Sequence, residues 1–103
     1  MLRRIAARLD STAAGFPLQV YVLVTLARHD EVANRRFQEA VAGLSEVIAA
    51  DWVTGEVDAM LMVVARDVAQ LQRVLTRMST RGASRLVTLL RLEELKPSSP
   101  LPL

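Results

Sequence analysis

The apolar residues of this chain change their spacing several times, and each change marks an element. From Leu18 to Ala27 the sequence LQVYVLVTLA is nearly continuous Val, Leu, Tyr and Thr. These types suit a pleated, half-buried surface, and the run reads as a strand. After Asp30, which can cap a helix, the spacing becomes three and four. Ala33, Phe37, Ala40, Val41 and Leu44 fall on one face of a helix from Glu31 to about Gly43, with Gly43 suited to its C-terminal cap. A second strand covers Val47 to Val53. Thr54-Gly55-Glu56 interrupts it, and a third strand runs from Val57 to Ala65. Asp67 opens the next helix with Gln70 at capping-box spacing, and Val68, Leu71, Leu75 and Met78 form its apolar stripe. Gly82 closes that unit, and Ser84 to Leu95 reads as a fourth strand. The ending KPSSPLPL has three prolines in eight residues and fits neither a helix nor a central strand. At the start, Leu2, Ile5, Ala6 and Leu9 share one face of a short helix, followed by a connector from Ser11 to Pro17. The expected organisation is residues 1–17 as N-terminal helix and linker, 18–97 as the domain, and 98–103 as a Pro-rich tail.

The order β-α-β-β-α-β, with a hairpin between strands two and three, predicts an α+β, ferredoxin-like fold. It has a four-stranded antiparallel sheet, and right-handed crossovers place both helices on one face. The other face raises a question. A half-covered antiparallel sheet alternates apolar and polar positions, and these strands do not. Val20, Val22, Val24 and Leu26 oppose Tyr21, Leu23 and Thr25; Ala59, Leu61 and Val63 oppose Met60, Met62 and Val64; Leu86, Leu90 and Leu92 oppose Val87 and Leu89. A patch of that size exceeds what a monomer usually exposes. Burying roughly 800 Å² per subunit against a second copy would offset the cost of association. A homodimer, of the dimeric α+β barrel type, is the expectation. The alternative, a cover made by the opening helix or the tail, offers too short a segment for four strands.

Composition narrows the chemistry. The 103 residues are 51% hydrophobic and 23% charged, the balance of one globular domain. Twelve arginines and one lysine face eleven acids, a net charge of +2, too little excess to imply nucleic-acid binding. There is no cysteine and one histidine, His29, so thiol chemistry is excluded and neither a protein-only metal site nor a cofactor is expected. No segment reads as a signal peptide or membrane span, and a cytoplasmic location is the default expectation.

The candidate chemistry sits at the hairpin. A glycine turn offers bare backbone N–H groups to a carboxylate, and Asp58, three residues on, offers a carboxylate to an ammonium. From the residues alone, a plain turn whose glycine supplies positive φ and whose acids are solvated is the favoured reading. The stretches VTGEVDAMLMVVARD and VTLLRLEELKPSSPLPL, together with ARLDSTAAGFPLQVYVLVTL, resemble the effector-binding domain of the Lrp/AsnC family of transcription regulators. The Thr-Gly-x-x-Asp turn and the Leu-Glu-Glu-x-Lys-Pro ending are the most specific pieces. That resemblance implies a non-catalytic domain that dimerises through its sheet, often assembling four dimers into an octamer. It implies a small effector, usually an amino acid, between neighbouring dimers near Thr54, Gly55, Glu56 and Asp58, with the hydroxyl of Thr88 lining the same site. Two positions depart from the family pattern: Val57 stands where an aromatic is frequent, and Leu86 where a second threonine is frequent. The ten residues before Ser11 cannot hold a helix-turn-helix. DNA recognition is therefore expected from a helix-turn-helix-containing paralogue or an upstream portion, and not from this chain alone.

Two other functions remain open at this level: a small enzyme on the same dimeric scaffold, and a structural assembly module with a vestigial pocket. No catalytic residue can be named. His29 reads as a loop histidine, Trp52 as a core or interface residue, and Met60 and Met62 as packing residues. The Arg73, Arg77 and Arg81 row reads as a solvated helix face.

Overall fold

The computed structural model describes residues 15–102. The elements are β1 (Leu18–Leu26), α1 (Glu31–Ala42), β2 (Val47–Trp52), β3 (Ala59–Ala65), α2 (Val68–Thr80) and β4 (Ala83–Leu90). They form one antiparallel sheet in the order β2-β3-β1-β4. This is the ferredoxin-like arrangement expected from the pattern. The expected N-terminal helix lies outside the described residues.

Both helices start where the chain supplies an acceptor for their unpaired N–H groups. The Asp30 carboxylate accepts from Ala33 N–H at 2.8 Å, and Asp67 accepts from Gln70 N–H at 2.8 Å. The Gln70 side chain returns a bond, but to Arg66 N–H at 2.7 Å, one residue before the cap. Its Nε2 donates to Glu46 at 3.2 Å, which ties α2 to the loop before β2.

One face of the sheet carries the core. Val20, Val22, Val24 and Leu26 of β1 and Ala59, Leu61 and Val63 of β3 are all buried against Phe37 of α1 and Val74 and Met78 of α2. Each large side chain fully removed from water contributes roughly 1.5–3 kcal/mol. Trp52, at the end of β2, lies on this same face with its ring 6.1 Å from Phe37, tilted by 52°.

The helical stripe in α2 is rotated from the expected one. Val68 is 68% exposed, whereas Val74, absent from the expected stripe, is 2% exposed. Val68 occupies the first turn, where α2 has not yet come down onto the sheet. The inward face is Leu71, Val74, Leu75 and Met78.

The fourth strand is shorter than its sequence suggests. It pairs Leu90 with Val20, and one further bond runs from Arg91 N–H to Gln19 O at 2.9 Å. There β4 leaves the sheet, two residues before the end of β1, whose Leu18 and Gln19 still pair with Ala65 and Val64 on the other side. Leu92 and Leu95, expected inside the strand, are 87% and 101% exposed.

The second face holds Gln19, Tyr21, Leu23 and Thr25 of β1, Asp51 of β2, Met60, Met62 and Val64 of β3, and Arg85, Val87 and Leu89 of β4, as the pairing register requires. Gln19, Met62 and Val64 are buried at one end of it. Met60 is 39% and Leu89 49% exposed, with Leu23 and Val87 half-buried between them. The open apolar area thus runs from Met60, near the hairpin, across Leu23 and Val87 to Leu89 on the edge strand. Leu92, Leu95 and Leu101 of the described tail are themselves exposed.

Candidate functional site

The hairpin is longer than the sequence suggests. β2 ends at Trp52 and β3 begins at Ala59, so the connection is residues 53–58. Val53 N–H donates to Asp58 O at 3.0 Å and closes the loop. Gly55 sits at its tip with φ +125°, a conformation that side-chain-bearing residues rarely adopt. Thr54, Gly55 and Glu56 are exposed, and Val57 and Asp58 are half-buried.

Asp58 connects three segments. Its N–H donates to Val24 O at 2.8 Å, its carbonyl receives Val53 N–H, and its Oδ2 accepts from Leu26 N–H at 2.8 Å. The ladder between β1 and β3 ends at Val24 opposite Ala59, so the carboxylate supplies the acceptor that the next β3 residue would have given. Oδ2 also meets His29 Nε2 at 2.9 Å. The Leu26 N–H first, and the His29 imidazole second, hold the Asp58 carboxyl below the usual carboxylate range. Asp58 therefore serves the fold as well as facing the turn. No spacing rule links residues 29 and 58; the antiparallel order does, because the β1–α1 loop and the β2–β3 hairpin leave the sheet at the same end.

Thr88 lies elsewhere in the chain. It is exposed in β4, opposite Val22 and on the helix-side face, and β1 separates its strand from β3. Two strand spacings are about 10 Å. A single copy thus groups Thr54, Gly55, Glu56 and Asp58 and leaves Thr88 apart from them.

An open groove of about 1120 Å³ lies on the other side of the β1–α1 loop, between α1 and the end of α2. Its rim carries Arg36, Arg77 and Arg81, and Arg28 beside Asp30. It does not include the hairpin. Its walls include the small residues Ala33, Ala40 and Gly43, and the acids Asp30, Glu31 and Glu39 offset most of the arginine charge. Among the described residues no group of three potential metal-ligating side chains converges, and no helix is long and apolar enough to cross a membrane.

Residues 19–101 match the Lrp/AsnC ligand binding domain family. The Bkd operon transcriptional regulator of Pseudomonas aeruginosa is 34% identical over 74 residues, 72% of this chain and 48% of the relative. The chain thus spans about half the length of that curated relative. An AsnC family transcriptional regulator from Agrobacterium tumefaciens superposes with TM-score 0.75 at 26% identity, covering 90% of this chain and 61% of the other. A transcriptional regulator from Neisseria meningitidis, solved in complex with L-methionine, superposes with TM-score 0.76 at 25% identity, covering 88% and 60%.

Proposed function

Because the chain belongs to the Lrp/AsnC ligand-binding domain family, we propose that it is a non-catalytic sensing and assembly domain that binds an amino acid at the 53–58 hairpin where copies of the dimer meet. The observation that carries this reading is the pairing of chemistries in one short loop. Gly55, at positive φ, leaves backbone N–H groups open to a carboxylate, and Asp58 keeps a carboxylate ionised beside them. A free amino acid carries the complementary pair of charges. The methionine-bound Neisseria regulator shares this fold, which favours a ligand of that class.

Assembly accounts for Thr88. Its distance from the hairpin within one chain means that a shared site needs Thr88 from a neighbouring copy, so a site of this composition exists only in the oligomer. The domain works as a homodimer through the open part of its second face, with an octamer of four dimers bringing the hairpins together. An effector then shifts assembly by its difference in affinity for the assembled and unassembled states. DNA recognition comes from a helix-turn-helix on a paralogue or on an upstream portion, and the setting is the cytoplasm.

The structural-module reading keeps one specific support: Asp58 Oδ2 is already committed to Leu26 and His29, so the aspartate has a use without a ligand. The enzyme reading has less, because Asp51 shares the second face with Met60 while Asp58 turns to the end of β1.

Thermal denaturation with each of the twenty protein amino acids at millimolar concentration separates these. The proposal predicts a raised melting temperature for one or a few of them, abolished in Asp58→Ala. No shift with any amino acid, from a chain that still assembles, supports the structural module.

A further inference from the structure

The chain has one histidine, and its placement is specific. His29 is 64% exposed at its side chain, a setting in which an imidazole usually rotates in solvent, yet Nε2 lies 2.9 Å from Asp58 Oδ2. An ionised carboxylate only accepts, so Nε2 carries the proton in this contact. His29 reaches across from the β1–α1 loop, and the residues on either side of it turn the other way. Arg28 and Asp30 line the groove and pair with each other at 3.3 Å.

The consequence for Asp58 is geometric. Rotation about the last bond of an aspartate is broad, and one hydrogen bond leaves the carboxylate plane loosely defined. Here Oδ2 receives two donors from different segments, Leu26 N–H at 2.8 Å and His29 Nε2–H at 2.9 Å. Together they fix the plane and commit Oδ2, leaving Oδ1 as the oxygen for an incoming cation. The Asp58 side chain is 29% exposed, so it is reachable from solvent. One available oxygen suits a primary ammonium, which binds as a point charge. It does not suit a guanidinium, whose paired N–H groups need both oxygens.

We propose that His29 is a positioning residue of the hairpin site: it orients Asp58 so that one carboxylate oxygen receives the primary ammonium of the effector. This rests on the amino-acid reading above. His29 acts through Asp58, so its loss costs affinity only for ligands that use the ammonium.

Two measurements test it. The first needs no ligand: amide hydrogen exchange at Leu26, whose N–H is held by Asp58. Exchange in His29→Ala should quicken several-fold, and His29→Gln, which keeps a side-chain N–H donor, should restore protection. Unchanged Leu26 exchange in His29→Ala overturns the proposal whether or not any ligand binds. The second uses the amino acid that most raises the melting temperature, paired with its 2-hydroxy-acid analogue, which lacks the ammonium. His29→Ala should weaken the amino acid on the order of tenfold and leave the hydroxy acid within twofold. Combined with Asp58→Asn, it should add nothing further. Equal losses for both ligands, or additive losses in the double variant, overturn it. If no amino acid binds the wild-type chain, the effector reading fails, and the exchange result still decides whether His29 holds Asp58.

Discussion

At the scale of single residues, Asp58 and Gly55 carry the sharpest expectations. Asp58 titrates below the usual carboxylate range because Leu26 N–H and then His29 hold its charged form. A carboxyl with a lowered pKa in the folded state stabilises the protein above its unfolded pKa, and that stability is lost as pH falls through the folded value. Denaturation of wild type and Asp58→Asn across pH should therefore show a gap near neutrality that closes on acidification below about pH 4. A gap that persists at the acid end would mean that the loss comes from packing and not from charge. Gly55 has open space around an added Cβ, so any cost of Gly55→Ala comes from backbone conformation at φ +125°. That substitution should destabilise by about 1 kcal/mol or more, read as a lower urea midpoint with unchanged slope. The motif around these two residues was visible in the sequence as a turn followed by an acid. Its tie to His29 was not, because that contact is made by chain topology and not by local spacing.

At the scale of elements, caps and periodicity were the most legible features. Asp30 and Asp67 cap the two helices as their positions suggested, and Asp67→Ala should cost about 1 kcal/mol. The face of α2 was harder to place. A spacing of three and four from Val68 fits one stripe, but Val74 meets the core and Val68 does not, since the approach angle of a helix is set by the sheet beneath it. Alanine substitution separates the two positions by denaturant midpoint. Val74→Ala should lose roughly 1–3 kcal/mol through lost contacts and a residual cavity, and Val68→Ala under about 0.5 kcal/mol. Strand ends were equally hidden. Apolar residues continue past Leu90, yet β4 stops there while β1 goes on to Leu18, so apolar character alone does not mark where a strand leaves the sheet.

For the whole molecule, the alternation-free strands predicted two dry faces. The helix-side face is dry over β1 and β3 and open toward its edges, at Trp52, Thr88 and Leu90. The other is covered at Gln19, Met62 and Val64 and open from Leu23 and Met60 to Leu89. A charge introduced in that open region, as in Leu89→Asp, should raise the dimer dissociation constant by at least tenfold with little change in monomer folding, measured by sedimentation. The proposed site takes Thr88 from a neighbouring copy, and on that proposal the same variant should also abolish any amino-acid thermal shift.

Light scattering of the purified chain at micromolar concentration, alone and with an amino-acid mixture, tests the sensing-and-assembly account most directly. A mass of twice 11.4 kDa or more, changing when the amino acids are added, is the predicted result. A monomer of 11.4 kDa, unaffected by the mixture, would contradict it.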